Sequence, residues 1–224
     1  MFYPKKLDQS GKIISEYDSS TSKVICVGRN YAAHAKELNN AIPKTPLLFI
    51  KSTNTLVDLD EQIIIPENQG ECHHELEIAI LIGEQLTNAT EQECLSAIKG
   101  IGLALDLTLR ELQSKLKSKG QPWEKAKSFD GACPVTGFMS IENFPNLSNI
   151  SFDLNKNGHC AQKGNSKDML FDIPSLIQQI SKCFTLYPGD IILTGTPQGV
   201  ASLNSGDRIS LELNDLAIAE AIIV

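Results

Sequence analysis

The chain lacks the features that mark membrane, disulfide-rich or nucleic-acid-binding proteins. No stretch approaches the roughly 18 consecutive apolar residues that a transmembrane helix requires. The six cysteines include no Cys-x-x-Cys pair, so we expect neither a zinc site nor a disulfide framework but reduced thiols. A net charge of −7 argues against nucleic acid or an anionic membrane as a partner. Residues 1–10 lack the apolar segment of a signal peptide, and we expect a cytoplasmic protein.

The pattern of apolar runs predicts an α+β fold in which strands dominate. A hydrophobic fraction of 42% in 224 residues is sufficient for one sizeable core. We predict a short, turn-rich lead-in over residues 1–20 and a single domain over residues 21–224. The helices do not alternate with the strands, which favours a curled mixed sheet over a doubly wound parallel one. Predicted helices are 30–39, 91–98, 108–119 and 174–183; predicted strands are 23–27, 47–51, 62–65, 75–82, 100–107, 150–154, 191–194, 208–213 and 217–224, with a hairpin turn at Asn157-Gly158.

Two glutamates stand at the start of the apolar run 78–82. Because side chains alternate between the faces of a strand, Glu75 and Glu77 point the same way, about 7 Å apart. Their repulsion needs compensation, either by solvent on an edge strand or by a divalent cation with oxygen ligands. Asp106 ends another apolar strand and is either a helix cap or a third ligand. Three carboxylates suit Mg²⁺ or Mn²⁺ better than zinc.

Other polar residues allow both a functional and an ordinary interpretation. Arg110 and Gln113 are neighbours on a predicted helix and either bind a carboxylate or are solvated. His34 and Glu37, also three residues apart, form either a water-activating dyad or an exposed pair. Lys127 lies in a loop-like segment beside Gly131 and is either a stabiliser of an enolate or a surface lysine.

A Gly-rich turn after the predicted strand 191–194 contains Thr196. Its backbone N–H groups and hydroxyl could hold a carboxylate, but no Gly-Lys-Ser/Thr follows, so it is not a phosphate loop.

Short motifs follow one another at five places along the chain. They are Arg29-Asn30-Tyr31-Ala32-x-His34-x-x-Glu37, His73-His74-Glu75-Leu76-Glu77, Asp106-x-Thr108-x-Arg110-x-x-Gln113, Lys127-Ser128-Phe129-Asp130 and Gly195-Thr196-Pro197-x-Gly199-Val200. In this order they resemble the fumarylacetoacetate hydrolase family, and most closely its short acylpyruvase / oxaloacetate decarboxylase branch, over residues 20–224. Each motif alone is weak, whereas the ordered set is specific.

The resemblance implies a mixed β-sandwich roll with few short helices, usually a homodimer, that holds Mg²⁺ or Mn²⁺. It assigns Glu75, Glu77 and Asp106 as metal ligands, His34 with Glu37 as the catalytic dyad, Lys127 as the enolate stabiliser, and Arg29, Arg110, Gln113 and Thr196 as substrate-binding residues. It also implies that the helix over residues 30–39 is a lid. Ala33 and Ser52 depart from the residues common in the family, Asp and Pro, without removing a catalytic group.

The implied activity is hydrolysis of a carbon–carbon bond in 2,4-dioxo acids, the acylpyruvates, to pyruvate and a carboxylic acid. Oxaloacetate bound in the same way could be decarboxylated, because the same enolate forms. The alternatives are a tautomerase, isomerase or decarboxylase of 2-oxo dicarboxylic acids, and a non-catalytic 2-oxo-acid binding protein. The dyad separates the catalytic alternatives, since hydrolysis needs a base that activates water and the other reactions do not.

Overall fold

The computed structural model describes residues 1–37, 40–60 and 62–224, and it confirms an α+β fold. Strands β1 to β18 are Lys5–Leu7, Ile13–Glu16, Val24–Gly28, Leu47–Lys51, Leu56–Asp58, Gln62–Ile63, Cys72–His74, Leu76–Ile82, Ile98–Leu105, Thr108–Leu109, Cys133–Val135, Phe138–Ser140, Ser151–Lys156, His159–Asn165, Ile191–Leu193, Ala201–Ser202, Arg208–Leu213 and Leu216–Ile223. Helices α1 to α5 are Ala32–Glu37, Glu91–Ser96, Arg110–Ser118, Glu124–Lys127 and Ile173–Cys183.

The largest sheet is mixed and has β8 and β9 near its centre, in the order β2-β1-β12-β9-β8-β15-β3-β4. Every residue of β8 is buried, which explains its continuous apolar sequence. Ile78 and Ile80 belong to the main core, whereas Ala79 and Leu81 belong to a second apolar cluster on the opposite face. The central strands are therefore covered on both sides.

A second sheet, in the order β14-β13-β17-β18-β6, supplies the other wall of the main core. Its buried side chains Phe152 and Leu211 belong to the same apolar cluster as the isoleucines of β8, and α5 adds Leu176 and Ile180. A small sheet, β10-β7-β16, lies beside the start of β8. This arrangement agrees with the predicted sandwich-like roll. Among the described residues, no helix has the length and apolar sequence that crossing a membrane requires.

Several local predictions need correction. The lead-in over residues 1–20 is not mainly turns, because β1 pairs with β2 and runs parallel to β12 as part of the largest sheet. The helix predicted from residue 108 begins at Arg110, because Thr108 and Leu109 pair with β7. The helix predicted over 30–39 is described as α1, and its residues 38 and 39 lie outside the described part of the chain. The domain boundary at residue 20 remains a prediction.

Candidate active site

Strand register brings the three predicted acidic ligands together. Glu77 lies in β8, and Glu75 immediately precedes that strand. Because β8 and β9 are antiparallel with Leu76 opposite Leu105, the residue after β9, Asp106, lies beside Glu75, and its backbone N–H donates to the Glu75 carbonyl at 2.9 Å. Carboxylate oxygens of the three side chains lie within 4.8 Å of one another, and all three residues are buried. Asp106 is thus neither a solvated residue nor the cap of α3, whose N-cap is Leu109.

Lys127 compensates two of these charges. Its ammonium donates to Glu75 Oε2 at 2.8 Å and to Asp106 Oδ2 at 2.6 Å, and Arg110 donates to Glu75 Oε1. Burial would raise the pKa of Glu75, but Lys127 and Arg110 hold that pKa far below its ordinary value. Burial likewise opposes the charge of Lys127, yet Asp106 and Glu75 raise its pKa. The buried Lys127, which closes the short helix α4 rather than lying in a loop, is therefore an ammonium.

Glu77 is compensated less well. Burial, and then the neighbouring Asp106 and Glu75, raise its pKa well above the ordinary value. Its Oε2 accepts one hydrogen bond, from the backbone N–H of Gly195 at 2.6 Å. The structure thus contains the like-charge repulsion that the sequence predicts.

Lys51 was given no role from the sequence, although it belongs to the same cluster. This lysine is fully buried at the end of β4, and its ammonium lies 2.8 Å from Asp106 Oδ1. It hydrogen-bonds the backbone carbonyls of three residues, Leu107, Lys127 and Ala132. The contact with Asp106 is therefore one of charge, and Asp106 Oδ1 accepts no hydrogen bond from the described residues. The sequence contained one indication of this position, because side chains alternate between the two faces of β4 and Lys51 therefore lies on the same face as Phe49.

These residues fit a divalent cation. Three buried carboxylates provide hard oxygen ligands, which suit Mg²⁺ or Mn²⁺. Asp106 Oδ1 has an unused lone pair, and a cation beside Glu77 would offset the burial and the carboxylate repulsion that raise the pKa of Glu77. Glu75, Glu77 and Asp106 are the residues that could hold the ion.

The predicted dyad lies at the same cleft. His34 is buried on α1 and lines the cleft together with the three carboxylates. Its Nδ1 lies 3.1 Å from Glu37 Oε2, which leaves Nε2 as the nitrogen free for proton transfer. The second oxygen of Glu37 accepts a hydrogen bond from the backbone N–H of Gly199 at 3.0 Å. His34 is therefore buried in the cleft, whereas its partner Glu37 is exposed at the surface.

The predicted substrate-binding residues also line this cleft. Arg110 Nη1 donates to Gln113 Oε1 at 2.9 Å, so the two side chains are neighbours as their spacing predicts. Thr196 and Arg29 complete the set. The cleft measures about 50 Å³, so its side chains leave room for only a few water molecules.

Gln162, on β14, is a second residue that sequence reasoning missed. Its Oε1 accepts from the backbone N–H of Leu76 at 2.9 Å, and its Nε2 donates to the carbonyl of Pro197 at 3.1 Å. These two backbone partners fix the orientation of the amide. The same Nε2 donates to Thr196 Oγ1 at 2.8 Å, so the threonine hydroxyl accepts there and keeps its own hydrogen for a partner in the cleft. Nothing in the local sequence around Gln162 indicates this contact.

Asn30 anchors the segment that leads into α1. Its amide nitrogen donates to the carbonyls of Thr194 at 2.8 Å and Phe171 at 3.0 Å, and its oxygen accepts from the N–H of Phe171 at 2.8 Å. Asn30 thus fixes the chain between Arg29 and α1 to two distant segments.

The profile of the family described as "Fumarylacetoacetate (FAA) hydrolase C-terminal" matches residues 23–224. The chain is 49% identical to the oxaloacetate tautomerase YcgM of Escherichia coli (strain K12) over 195 residues, which cover 87% of this chain and 89% of that protein. It is 41% identical to a mitochondrial oxaloacetate decarboxylase of Dictyostelium discoideum over 195 residues, or 87% and 89% of the two chains. The crystal structure of a fumarylpyruvate hydrolase from Pseudomonas aeruginosa in complex with Mn²⁺ and pyruvate superposes with a TM-score of 0.88 at 25% identity, covering all of this chain and 97% of that one.

Proposed function

The chain belongs to the fumarylacetoacetate hydrolase family, and from that premise we propose that it is a divalent-cation-dependent enzyme that interconverts the keto and enol forms of oxaloacetate or a closely similar 2-oxo dicarboxylic acid. The names of the relatives favour this activity, which is the alternative that the resemblance left open, over hydrolysis of acylpyruvates.

The observation that carries the proposal is the buried cluster of Glu75, Glu77 and Asp106 with the Lys127 ammonium between two of them. A bound Mg²⁺ or Mn²⁺ would supply a Lewis acid that polarises the 2-oxo group. Lys127 would place positive charge beside the oxygen on which negative charge develops when C3 loses its proton. The Thr196 hydroxyl, held as a donor by Gln162, would bind a carboxylate oxygen of the substrate. The proton leaves C3 for solvent, and protonation of the oxygen on C2 completes the enol.

The direct experiment follows the conversion of enol-oxaloacetate to the keto form by the loss of enol absorbance. Wild-type protein with Mg²⁺ should accelerate the conversion beyond the rate in buffer, and EDTA should abolish the acceleration. Lys127→Met should be inactive, whereas Lys125→Met, an exposed position on the same helix, should match the wild type. Metal-loaded, folded protein that produces no acceleration would reject the proposal.

Hydrolysis of acylpyruvates is a second candidate, supported by the contact between His34 and Glu37. Nε2 of His34 would take a proton from water, which attacks the 4-carbonyl; the bond between C3 and C4 then breaks, and the electron pair stays on the pyruvate enolate. Metal-dependent release of pyruvate from acetylpyruvate, measured with lactate dehydrogenase, tests this reaction. The coupled readout is necessary because loss of enol absorbance alone also reports tautomerisation.

The homodimer and the cytoplasmic location expected from the sequence remain predictions. Sedimentation equilibrium of the purified protein tests the first, and fractionation of the source cells tests the second.

A further inference from the structure

We propose that Lys117 and Arg29 form a subsite for the second carboxylate of the substrate and thereby select 2-oxo dicarboxylic acids over monocarboxylic ones. The inference rests on the proposed function and deepens it, because it assigns the selectivity of the same cleft to specific side chains. Lys117 lies outside all five sequence motifs.

Two of the four cationic side chains that line the cleft have no ion-pair partner among the described residues. Arg110 and Lys127 form ion pairs with the carboxylate cluster. Arg29 and Lys117 line the same cleft, yet neither forms an ion pair with any carboxylate in the described part of the chain. A partly buried cation without an anionic partner lowers the stability of the folded protein unless a ligand supplies a negative charge.

The fold holds both residues in position. Lys117 lies seven residues after Arg110 on α3, which places the two on one face of the helix. Its ammonium lies 5.9 Å from the centroid of the Trp123 ring, at the rim of the cleft. Arg29 has a φ of 60°, in the left-handed region, and is followed by the anchored Asn30. A strained backbone that the surroundings maintain is typical of a ligand-binding position.

The charge of the cleft also favours a second carboxylate. Four cationic side chains and three carboxylates line it, so a divalent cation on the carboxylates would leave a clear excess of positive charge. Burial and the neighbouring Arg29 and Arg110 lower the pKa of Lys117, which agrees with that excess. A dianion matches this field better than a monoanion.

The competing occupant of this end of the cleft is an apolar acyl group. Leu47, Phe49 and Trp123 line the cleft and also a neighbouring groove, and such a wall would suit the tail of an acylpyruvate. The two interpretations differ in what the loss of the Lys117 charge does to each class of substrate.

The experiment compares wild type, Lys117→Met, Lys117→Arg and the exposed control Lys115→Met on oxaloacetate and acetylpyruvate with Mg²⁺. Lys117→Met should raise the KM for oxaloacetate about tenfold or more, with kcat changed less than about twofold and the KM for acetylpyruvate unchanged. Lys117→Arg should restore most of the affinity, and Lys115→Met should match the wild type. Equal effects of Lys117→Met on both substrates, or no effect on either, would overturn the subsite.

A binding measurement separates this outcome from failure of the proposed function. The affinities of Mg²⁺-loaded protein for 2-oxoglutarate and pyruvate can be measured calorimetrically without turnover. If wild type fails to accelerate oxaloacetate tautomerisation but Lys117→Met weakens the binding of 2-oxoglutarate and not of pyruvate, the proposed function is wrong and the subsite is supported. If wild type accelerates tautomerisation and Lys117→Met weakens the binding of both ligands equally, the subsite is wrong and the proposed function is supported.

Discussion

Lys127→Met should destabilise the metal-free protein strongly and the Mg²⁺-loaded protein weakly. The substitution removes the ammonium between Glu75 and Asp106, which lies 2.8 and 2.6 Å from their oxygens in a buried cluster, while nearly preserving side-chain length. Loss of one partner from a buried ion pair costs about 3–5 kcal/mol. Each kcal/mol lowers the Tm of a chain of this size by about 2–4 °C, so we expect a fall of about 6–20 °C in EDTA. Mg²⁺ should recover most of this loss, because the cation compensates the same carboxylates.

Thermal unfolding followed by far-ultraviolet circular dichroism, in EDTA and in excess Mg²⁺, measures both quantities. Lys125→Met is the matched control, because Lys125 is exposed on the same short helix and its loss should change the free energy of unfolding by less than about 0.5 kcal/mol. Equal loss of stability by the two variants in EDTA would contradict this role of Lys127, as would a rise in Tm with Mg²⁺ that is no larger for Lys127→Met than for wild type.

Further measurements test the other parts of the site. Below the raised pKa of Glu77, the affinity for Mg²⁺ should increase as pH rises, by up to about tenfold per pH unit, because the ion displaces a proton from that carboxyl. Calorimetry measures this affinity, and Glu77→Gln should bind Mg²⁺ weakly and with no such dependence on pH. In EDTA, the folded state retains that proton above the ordinary value of 4.5 while the unfolded chain releases it, so the contribution of Glu77 to stability should fall as pH rises from 4.5 through the raised pKa. His34→Ala should abolish pyruvate release from acetylpyruvate but spare tautomerisation. Equal loss of the two activities would show that His34 also removes the proton from C3. Gln162→Glu should turn the Thr196 hydroxyl away from the cleft and raise the KM for oxaloacetate about tenfold, as Thr196→Val should, whereas additive effects in the double variant would refute this coupling.

Local patterns predicted the parts of the site that depend on one segment. Alternation along an apolar strand placed Glu75 and Glu77 on one face, and helical spacing placed Arg110 beside Gln113. The resemblance to the family brought Asp106 into the set, although its capping role was equally compatible with the local sequence.

Local sequence patterns could not predict the contacts between segments that are far apart in the chain. Lys51 is buried because the carbonyls that it binds come from other parts of the chain, and Gln162 reaches Thr196 from another sheet. The start of α3 was misplaced for the same reason, since pairing with β7 keeps Thr108 extended. Pairing between strands far apart in sequence leaves little trace in either segment alone.

Glu37 connects two parts of the site that are 162 residues apart in the chain. One oxygen holds His34, and the other holds the backbone of Gly199, in the same turn as Thr196. Movement of α1 away from that turn would break the hydrogen bond between Glu37 and Gly199, and it would carry the His34–Glu37 pair away from the Thr196 hydroxyl. The position of the proposed base, His34, relative to the turn that carries Thr196 would therefore depend on a single carboxylate.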